Sequence, residues 1–331
     1  MTRPAVVAVG GSAGGIEALV AMVADLPADL PASVLVTVHI GQHARSSLPR
    51  ILSRSGPLPA EHAVHGDQIR PGRIYVAPPG FHLLVAGGVA RLSPGPRVNR
   101  HRPAVDVMFG SAARWAGDRV VAVVLSGLLD DGAVGAALVA RAGGRVVVQD
   151  PAEAVFGSMP RAALGAVPGA DVQPTARLGA AVGAMLEESE PESRSEDERQ
   201  VESEMSMEDS GDPRFLAAEE TRLTRLMCPG CGGSLAEVGL PHISYYRCHV
   251  GHQYAPKTLE AAQAEAAERK LWAGVAALED HAALARHLAE QPGAHDDGAE
   301  YRQAAERAAD LAKMMRSHLD SPSLQDVAGS S

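Results

Sequence analysis

Short apolar runs alternate with stretches of helical period over the first 186 residues. The runs AVVAVG, ASVLVTVHI, VVAVVLSG and RVVVQD are almost continuous in apolar residues. Because these strands show no regular polar alternation, we expect them to be buried on both faces, as in a parallel sheet. Segments 105–116 and 133–142 have the pattern of helices. The alternation predicts a doubly wound, three-layer α/β/α domain with a mainly parallel sheet over residues 1–186.

The charge pattern changes abruptly after this region. Residues 187–212 contain twelve acidic side chains against Arg194 and Arg199, so this segment alone accounts for the net charge of −10. Its apolar surface is too small to offset the entropy of ordering, which predicts a disordered linker over 187–222. The rest of the chain has balanced charge and no basic stripe, so nucleic acid is not an expected partner.

The cysteines indicate the compartment and a metal site. All three lie between Cys228 and Cys248, which disfavours a disulfide framework and favours a reducing environment. No apolar run reaches the roughly 20 residues that span a bilayer, and the N-terminus has no secretion signal pattern. We therefore expect a cytoplasmic protein without membrane insertion.

The cysteines also have the spacing of metal ligands. Cys228, Cys231, Cys248 and His252 follow the order C-x2-C, C-x3-H, which is typical of a closed tetrahedral Zn²⁺ site. His249 is the alternative fourth ligand. Since four protein ligands leave no open position, the zinc is expected to be structural and to hold a zinc-ribbon-like module over residues 223–257.

The remaining C-terminal residues have a helical pattern. Residues 258–320 predict a helical hairpin, interrupted near 291–293, and residues 321–331 predict a disordered tail. Because an acidic linker separates the module from the α/β domain, we expect little stability to be transmitted between them.

Candidate catalytic residues follow three of the predicted strands. Ser12, His39 and Asp131 each stand where a strand ends. Sites of open parallel sheets form at the carboxyl ends of strands, and a strand–helix–strand crossover brings the first two strands together. We therefore expect these side chains to lie at one edge of the sheet.

The segment Gly10–Gly14 decides between two uses of a glycine turn. A dinucleotide site requires a middle glycine and an acid at the end of the second strand. Here Ser12 and His39 occupy those positions, and no lysine of a phosphate loop is present. G-G-S-A-G instead fits the G-x-S-x-G turn that exposes a nucleophilic serine.

Each of these residues would have a distinct chemical role. Ser12 needs a base to accept its proton, for which His39 is the candidate, and an aspartate would orient the imidazole. The Ala13 N–H at the start of the following helix is a candidate oxyanion donor. Asp130, which is adjacent to Asp131, could instead cap the helix that starts near Gly132.

Six segments occur in one order: VGGSAGG, the histidine after strand two, PGRIYVAPPGFHL, VNRHRPAVDVMF, LSGLLDDGAVG and VFGSMPRAAL. Together they resemble the catalytic domain of the CheB-type protein-glutamate methylesterases of chemotaxis, over about residues 4–186. The resemblance implies hydrolysis of glutamate γ-methyl esters on chemoreceptor helices with release of methanol, and in some members deamidation of receptor glutamines. It implies no cofactor for catalysis.

By motif, the resemblance assigns Ser12 as nucleophile, His39 as base and Asp131 as orienting acid. Leu128 stands where the family has a methionine that lines the oxyanion site, and Ala13 replaces the usual threonine. The choice of Asp131 over its acidic neighbour depends on this alignment. No receiver domain precedes the motif, so we expect regulation in cis to be absent, which leaves room for a separate response-regulator partner.

Two questions remain open from the sequence. The segment Arg97–Arg102, with Arg100 as the candidate substrate contact, could bind an acidic receptor face or could hold the start of a helix through local bonds. The alternatives to an esterase are a catalytically silent regulatory or scaffold protein and a nucleotide-binding α/β domain.

Overall fold

A computed structural model describes residues 5–41, 46–187, 221–291 and 298–320. The strands are β1 (Ala5–Gly11), β2 (Ala32–Val38), β3 (Ala60–His62), β4 (Ile74–Val76), β5 (His82–Ala86), β6 (Val89–Ser93), β7 (Val120–Val124), β8 (Arg145–Gln149), β9 (Asp171–Gln173), β10 (Thr221–Met227), β11 (Ser234–Gly239), β12 (Ser244–Cys248) and β13 (Gln253–Tyr254). The α-helices are α1 (Gly15–Ala24), α2 (Leu48–Ser55), α3 (Val105–Ala116), α4 (Ala133–Arg141), α5 (Ser158–Ala166), α6 (Leu178–Glu187), α7 (Pro256–Ala289) and α8 (Gly298–Leu319).

The central sheet has seven strands in the order β3-β4-β2-β1-β7-β8-β9. Every neighbouring pair is parallel. The chain fills one half of the sheet after β1 and the other half from β7 onward. The topological switch point therefore lies between β1 and β7, where the carboxyl ends of parallel strands leave a crevice. The predicted doubly wound fold is confirmed.

Helices cover both faces of this sheet, which explains the continuous apolar strands. Alternate residues of β1 point to opposite sides: Val7 and Val9 pack in one cluster, and Val6 and Ala8 pack in the other. The first cluster includes residues of α1, α2 and α6, whereas the second includes residues of α3, α4 and α5. The inner strands β1, β2 and β7 thus bury both of their faces, as a three-layer architecture requires.

Residues 221–254 form a second, antiparallel sheet in the order β10-β11-β12-β13. Val238 and Tyr245 of this sheet share a buried cluster with Val134 of α4. Leu240 and Ile243 also pack against a small alanine-rich cluster that includes Ala133. The small sheet is therefore built onto the α/β domain, in contrast to the independence expected from the sequence.

The chain divides into two units, Met1–Leu259 and Glu260–Ser331. In the second unit, Arg316 forms an ion pair with Glu279 and lies over the ring of Trp272. Within the described ranges, no helix combines the length and hydropathy needed to cross a membrane. The predicted linker, apart from its first and last residues, and the predicted tail 321–331 lie outside the described residues, so the predicted domain boundaries stay predictions.

Candidate active site and candidate metal centre

The turn after β1 places Ser12 at the switch point of the sheet. The Ser12 N–H donates to the Ser126 carbonyl beyond β7 at 2.9 Å. Gly14 has a φ of 70° and precedes α1, and a Cβ there would lie 2.6 Å from the Cβ of Val155. Glycine is required at this position because other residues rarely adopt that backbone conformation and would meet a side chain. The turn thus holds the serine in a fixed position before a helix.

Ser12, His39 and Asp131 are hydrogen-bonded in series. The Ser12 Oγ lies 3.0 Å from the His39 Nδ1, and the His39 Nε2 lies 2.6 Å from the Asp131 Oδ2. An ionised carboxylate only accepts hydrogen bonds, so Nε2 carries the proton and Nδ1 accepts from the serine hydroxyl. The serine therefore faces Nδ1, the opposite ring nitrogen from that of the serine-protease template, but the chemical roles are the same.

Asp131 is a buried carboxylate with several donors. Its Oδ2 also accepts from Val105 N–H at 2.7 Å, and its Oδ1 accepts from Asn99 Nδ2 at 2.8 Å and Asp106 N–H at 3.1 Å. Burial by itself would raise the pKa of Asp131, but the hydrogen bond and the charge of His39 hold that pKa well below its usual range. Asp131 therefore stays ionised and keeps the imidazole in one tautomer.

Asp106 is a second buried carboxylate behind Asp131. It accepts from Asn99 Nδ2 at 2.6 Å and from the N–H groups of Gly132 and Gly135 at 2.9 and 2.7 Å. Burial and then the charge of Asp131 raise the pKa of Asp106, against the effect of these donors. Asp106 thereby ties the start of α3 to the start of α4 around the triad.

A second histidine stacks on the candidate base. The rings of His39 and His101 have centroids 3.6 Å apart and an interplanar angle of 6°. Burial and then the charge of His39 lower the pKa of His101 to about 4. At neutral pH, His101 is therefore an uncharged ring that limits rotation of the His39 imidazole.

The candidate oxyanion donors lie on two loops beside Ser12. Gly127 is fixed through its N–H to Phe156 O at 2.9 Å and through its carbonyl, which accepts from Met159 N–H at 3.0 Å. A Cβ on Gly127 would lie 2.9 Å from the Ser12 Cβ. Gly127, the residue before Leu128, therefore lies beside the nucleophile. The Ala13 N–H has no backbone acceptor among the residues that the structure describes. Ala13 and Leu128 therefore stay candidate donors to a developing oxyanion.

From the sequence, the arginines of segment 97–102 are expected either to bind an acidic receptor face or to hold the start of a helix through local bonds. Arg102 donates to the carbonyls of Pro94 and Gly95 at 2.6 and 2.7 Å, which is a local structural role. Arg100 adopts a φ of 68° and its charge acts on His101. Arg100 therefore lies near the candidate site, and its role in substrate binding stays a prediction.

Asp130 does not cap the helix near Gly132 through its side chain. Its carboxylate accepts from Lys257 N–H at 2.6 Å and Thr258 N–H at 3.0 Å, and the Thr258 hydroxyl also donates to it. Asp130 is 2% exposed, and burial raises its pKa despite these bonds. Asp130 thus caps α7, a helix that is remote in the sequence, and Asp131 alone faces His39.

The three cysteines and His252 converge. Their ligand atoms all lie within 4.8 Å of one another, and the thiols are free. The Sγ atoms of Cys231 and Cys248 are 3.6 Å apart, and His252 Nδ1 lies 3.8 and 3.6 Å from the Sγ atoms of Cys228 and Cys248. Tetrahedral Zn²⁺ would give about 3.8 Å between sulfurs and about 3.6 Å from sulfur to nitrogen. The donor set therefore fits zinc, and His249 is not in the cluster.

Sequence reasoning missed the buried polar residues that support the triad. Asn99, His101 and Asp106 lie in the segment VNRHRPAVDVMF, in which only Arg100 was singled out. Asn99 and Asp106 are 1% and 2% exposed. The one available signal was the placement of polar residues directly before and inside an apolar helix, where a buried polar group requires partners.

A parallel α/β domain with serine, histidine and aspartate hydrogen-bonded in series at the carboxyl edge of its sheet has the arrangement of a serine hydrolase. Comparison with known proteins identifies the group more closely. The model of the CheB methylesterase family matches residues 7–182, which is more than half of the chain. The chain therefore belongs to the CheB methylesterase family, as the sequence motifs predict.

Curated relatives carry consistent names. The chain is 41% identical over 184 residues to the "Protein-glutamate methylesterase/protein-glutamine glutaminase of group 2 operon" of Rhodopseudomonas palustris, covering 54% of this chain and 47% of that protein. It is 45% identical over 168 residues to "Protein-glutamate methylesterase/protein-glutamine glutaminase 2" of Anaeromyxobacter dehalogenans, covering 50% and 49%. The chain thus spans about half the length of these relatives.

A solved structure has the same fold. The Thermotoga maritima CheB methylesterase catalytic domain superposes with a TM-score of 0.53 at 29% identity, covering 56% of this chain and 99% of that domain. The similarity accounts for the α/β domain and leaves the C-terminal region without a counterpart in that chain.

Proposed function

We propose that this chain is a protein-glutamate methylesterase that hydrolyses glutamate γ-methyl esters on the helices of chemoreceptors in the cytoplasm. The observation that carries the proposal is the hydrogen-bonded series of Ser12, His39 and Asp131 at the switch point of a CheB-family domain. The relatives' names supply the substrate class, and the geometry supplies the means of hydrolysis.

In the first step, Ser12 Oγ attacks the ester carbonyl carbon while His39 Nδ1 takes the hydroxyl proton. Asp131 stabilises the imidazolium through the Nε2–H bond of 2.6 Å. The carbonyl oxygen becomes an oxyanion, for which the N–H groups of Ala13 and Leu128 are the candidate donors. Collapse of this intermediate breaks the bond to the methoxy oxygen, which receives the proton from His39 and leaves as methanol.

In the second step, water hydrolyses the glutamyl ester of Ser12. His39 takes a proton from water, the hydroxide oxygen adds to the acyl carbon, and the proton returns to Ser12 Oγ as the acyl bond breaks. The product is the receptor glutamate. A receptor glutamine would form the same acyl-enzyme with ammonia as leaving group, in line with the second activity in the relatives' names.

The substrate face is proposed to be an apolar rim beside Ser12. Leu128, Val155 and Phe156 are 53%, 68% and 39% exposed. The Val155 side chain lies close to Gly14 in the turn that carries Ser12. The Phe156 carbonyl accepts a hydrogen bond from the Gly127 N–H. Exposed apolar side chains that border a polar site are typical of a surface that binds another protein. Arg100 is the proposed contact for acidic side chains of the receptor, and a separate response regulator remains a proposed partner.

The Cys3His cluster is proposed to bind a structural zinc ion through Cys228, Cys231, Cys248 and His252. Zinc would supply folding free energy to a sheet that has little apolar core of its own. Elemental analysis of the purified protein should find equimolar zinc, and Cys231→Ser should abolish tight binding. Retention of zinc by that variant, with loss on replacing His249, would show that the ligand set is wrong.

The direct test of the proposed function is methanol release from a methylated chemoreceptor. Wild type should release methanol, and Ser12→Ala should release none above background while keeping its fold. A wild type that binds receptor without releasing methanol would identify the catalytically silent scaffold instead. Ser55→Ala is a serine control, which should keep full activity because the Ser55 hydroxyl donates to Ile51 O within α2 at 2.8 Å.

A further inference from the structure

The small C-terminal sheet contacts the residue that supports the catalytic aspartate. The Asn99 N–H donates to Gln253 O at 2.8 Å, and Ala255 N–H donates to Asn99 Oδ1 at 2.7 Å. From the other side of the same amide, Asn99 Nδ2 donates to Asp131 Oδ1 at 2.8 Å. One side chain therefore connects the backbone of residues 253–255 to the carboxylate that faces His39.

Both N–H groups and the oxygen of the Asn99 side-chain amide are engaged in hydrogen bonds. Its two N–H bonds go to Asp106 and Asp131, and its oxygen accepts from Ala255. Asn99 has a φ of 49°, a conformation that asparagine tolerates better than most residues. Its position is thus set jointly by the carboxylates and by the C-terminal strand, and loss of either partner would free it to move.

Asp130 makes a second connection one residue before Asp131. Its carboxylate receives Lys257 N–H, Thr258 N–H and the Thr258 hydroxyl at the first turn of α7. An aspartate that caps a helix start satisfies donors that would otherwise be unpaired and is favoured by the helix dipole. The peptide between Asp130 and Asp131 is therefore anchored to the backbone of residues 257 and 258.

The proposed zinc ligands lie directly beside these contacts. His252 precedes Gln253 in the chain, and its carbonyl accepts from Cys248 N–H at 3.1 Å. The Tyr254 hydroxyl lies 3.6 Å from the Cys228 Sγ. Ordering of the metal cluster would therefore fix strand β13, which holds Asn99.

We propose that residues 221–259 are a positioning part of the esterase site: through Asn99 and Asp130 they orient Asp131 toward His39. This inference rests on the proposed function. It predicts that zinc binding and triad geometry are coupled, because both depend on the same ordered backbone around residues 252–258. Removing zinc should accordingly lower esterase turnover although the metal touches no reacting atom.

The test uses the zinc-bound chain of 331 residues and the variant Asp130→Ala, with Asp25→Ala as matched control. Asp25 accepts Ala180 N–H at 3.0 Å at the start of α6, so the control also removes one helix cap. For Asp130→Ala we expect about a tenfold fall in kcat on a small methyl ester with unchanged KM, and a lower zinc affinity measured by competition with a chelator. Asp25→Ala should change neither quantity.

Two further measurements separate positioning from loss of fold. The downfield NMR resonance of the His39 Nε2 proton, which reports the bond to Asp131, should shift or broaden in Asp130→Ala and on chelation of wild type, but not in Asp25→Ala. Thr258→Val should reproduce the effect in milder form, and Thr258→Ser should restore wild-type values because it keeps the hydroxyl donor.

Equal kcat, zinc affinity and resonance in Asp130→Ala, Thr258→Val and wild type would overturn the inference. A wild type without ester hydrolysis would instead contradict the proposed function, and the resonance and zinc affinity would still show whether the two sites are coupled.

Discussion

Replacing Asp131 by asparagine tests how the aspartate contributes to catalysis. The carboxylate receives two donors on each oxygen: His39 and Val105 on Oδ2, Asn99 and Asp106 on Oδ1. In either orientation the asparagine NH2 faces two N–H groups, so at least two hydrogen bonds to a charged acceptor are lost. At about 1.5–3 kcal/mol each, the loss is about 3–6 kcal/mol, which corresponds to about 10²–10⁴-fold in kcat if it falls on the transition state.

The tautomer of His39 makes that outcome specific. An NH2 group facing Nε2 would require the ring proton to move to Nδ1, which could then no longer accept from Ser12. Steady-state methanol release should show the fall in kcat with KM nearly unchanged, while Ser12→Ala and His39→Ala lose about 10⁶-fold. Asp171→Asn, on the edge strand β9, is the control and should keep full activity. A fall of less than tenfold for Asp131→Asn would refute the proposed role of the aspartate.

Three other variants test the surroundings of the site. Gly127→Ala should strongly reduce activity and destabilise the fold by about 1–3 kcal/mol in denaturant unfolding, because its Cβ would overlap a buried methionine sulfur. The control Gly165→Ala, with open space around it, should be neutral or slightly stabilising. Equal stability and activity of the two variants would count against close packing at Gly127. Val155→Asp should raise KM for methylated receptor and leave hydrolysis of a small ester unchanged. The control Val172→Asp, on an exposed edge strand, should affect neither activity. An equal loss of small-ester hydrolysis in Val155→Asp would mean that Val155 serves the reacting centre itself. Burial lowers the pKa of His82 from 6.5 to about 4, so His82 of the unfolded chain binds a proton first as the pH falls below 6.5. The free energy of unfolding should therefore decrease by about 2 kcal/mol more between pH 7 and pH 5 in wild type than in His82→Gln. Identical slopes of unfolding free energy against pH would show that His82 does not titrate this way.

The fold and the three central residues could be predicted because both depend on local signals. Continuous apolar runs identify strands that are covered on both faces. Since parallel strands place their carboxyl ends at one edge, Ser12, His39 and Asp131 could be assigned to one site without a structure.

The supporting residues could not be predicted, because their partners are remote in the chain. Asn99 acquires its role from Asp131 and from Ala255, which is 156 residues away. Asp130 has the local signature of a cap for the nearest helix, yet its carboxylate caps α7, 127 residues beyond it. Composition alone also suggested that an acidic linker separates two independent parts, whereas the small sheet packs against α4. Such contacts depend on tertiary packing, which periodicity and spacing do not encode.

The most direct test of the account is to trap the acyl-enzyme. A methylated receptor peptide should be mixed with enzyme, quenched in acid within the first turnover and analysed by mass spectrometry after digestion. Wild type should carry the peptide as a covalent adduct on the fragment that contains Ser12, Ser12→Ala should carry none, and hydrolysis in ¹⁸O-water should place the label in the receptor glutamate and none in methanol. An adduct on a residue other than Ser12, or label in the methanol, would contradict a serine esterase mechanism with Ser12 as nucleophile.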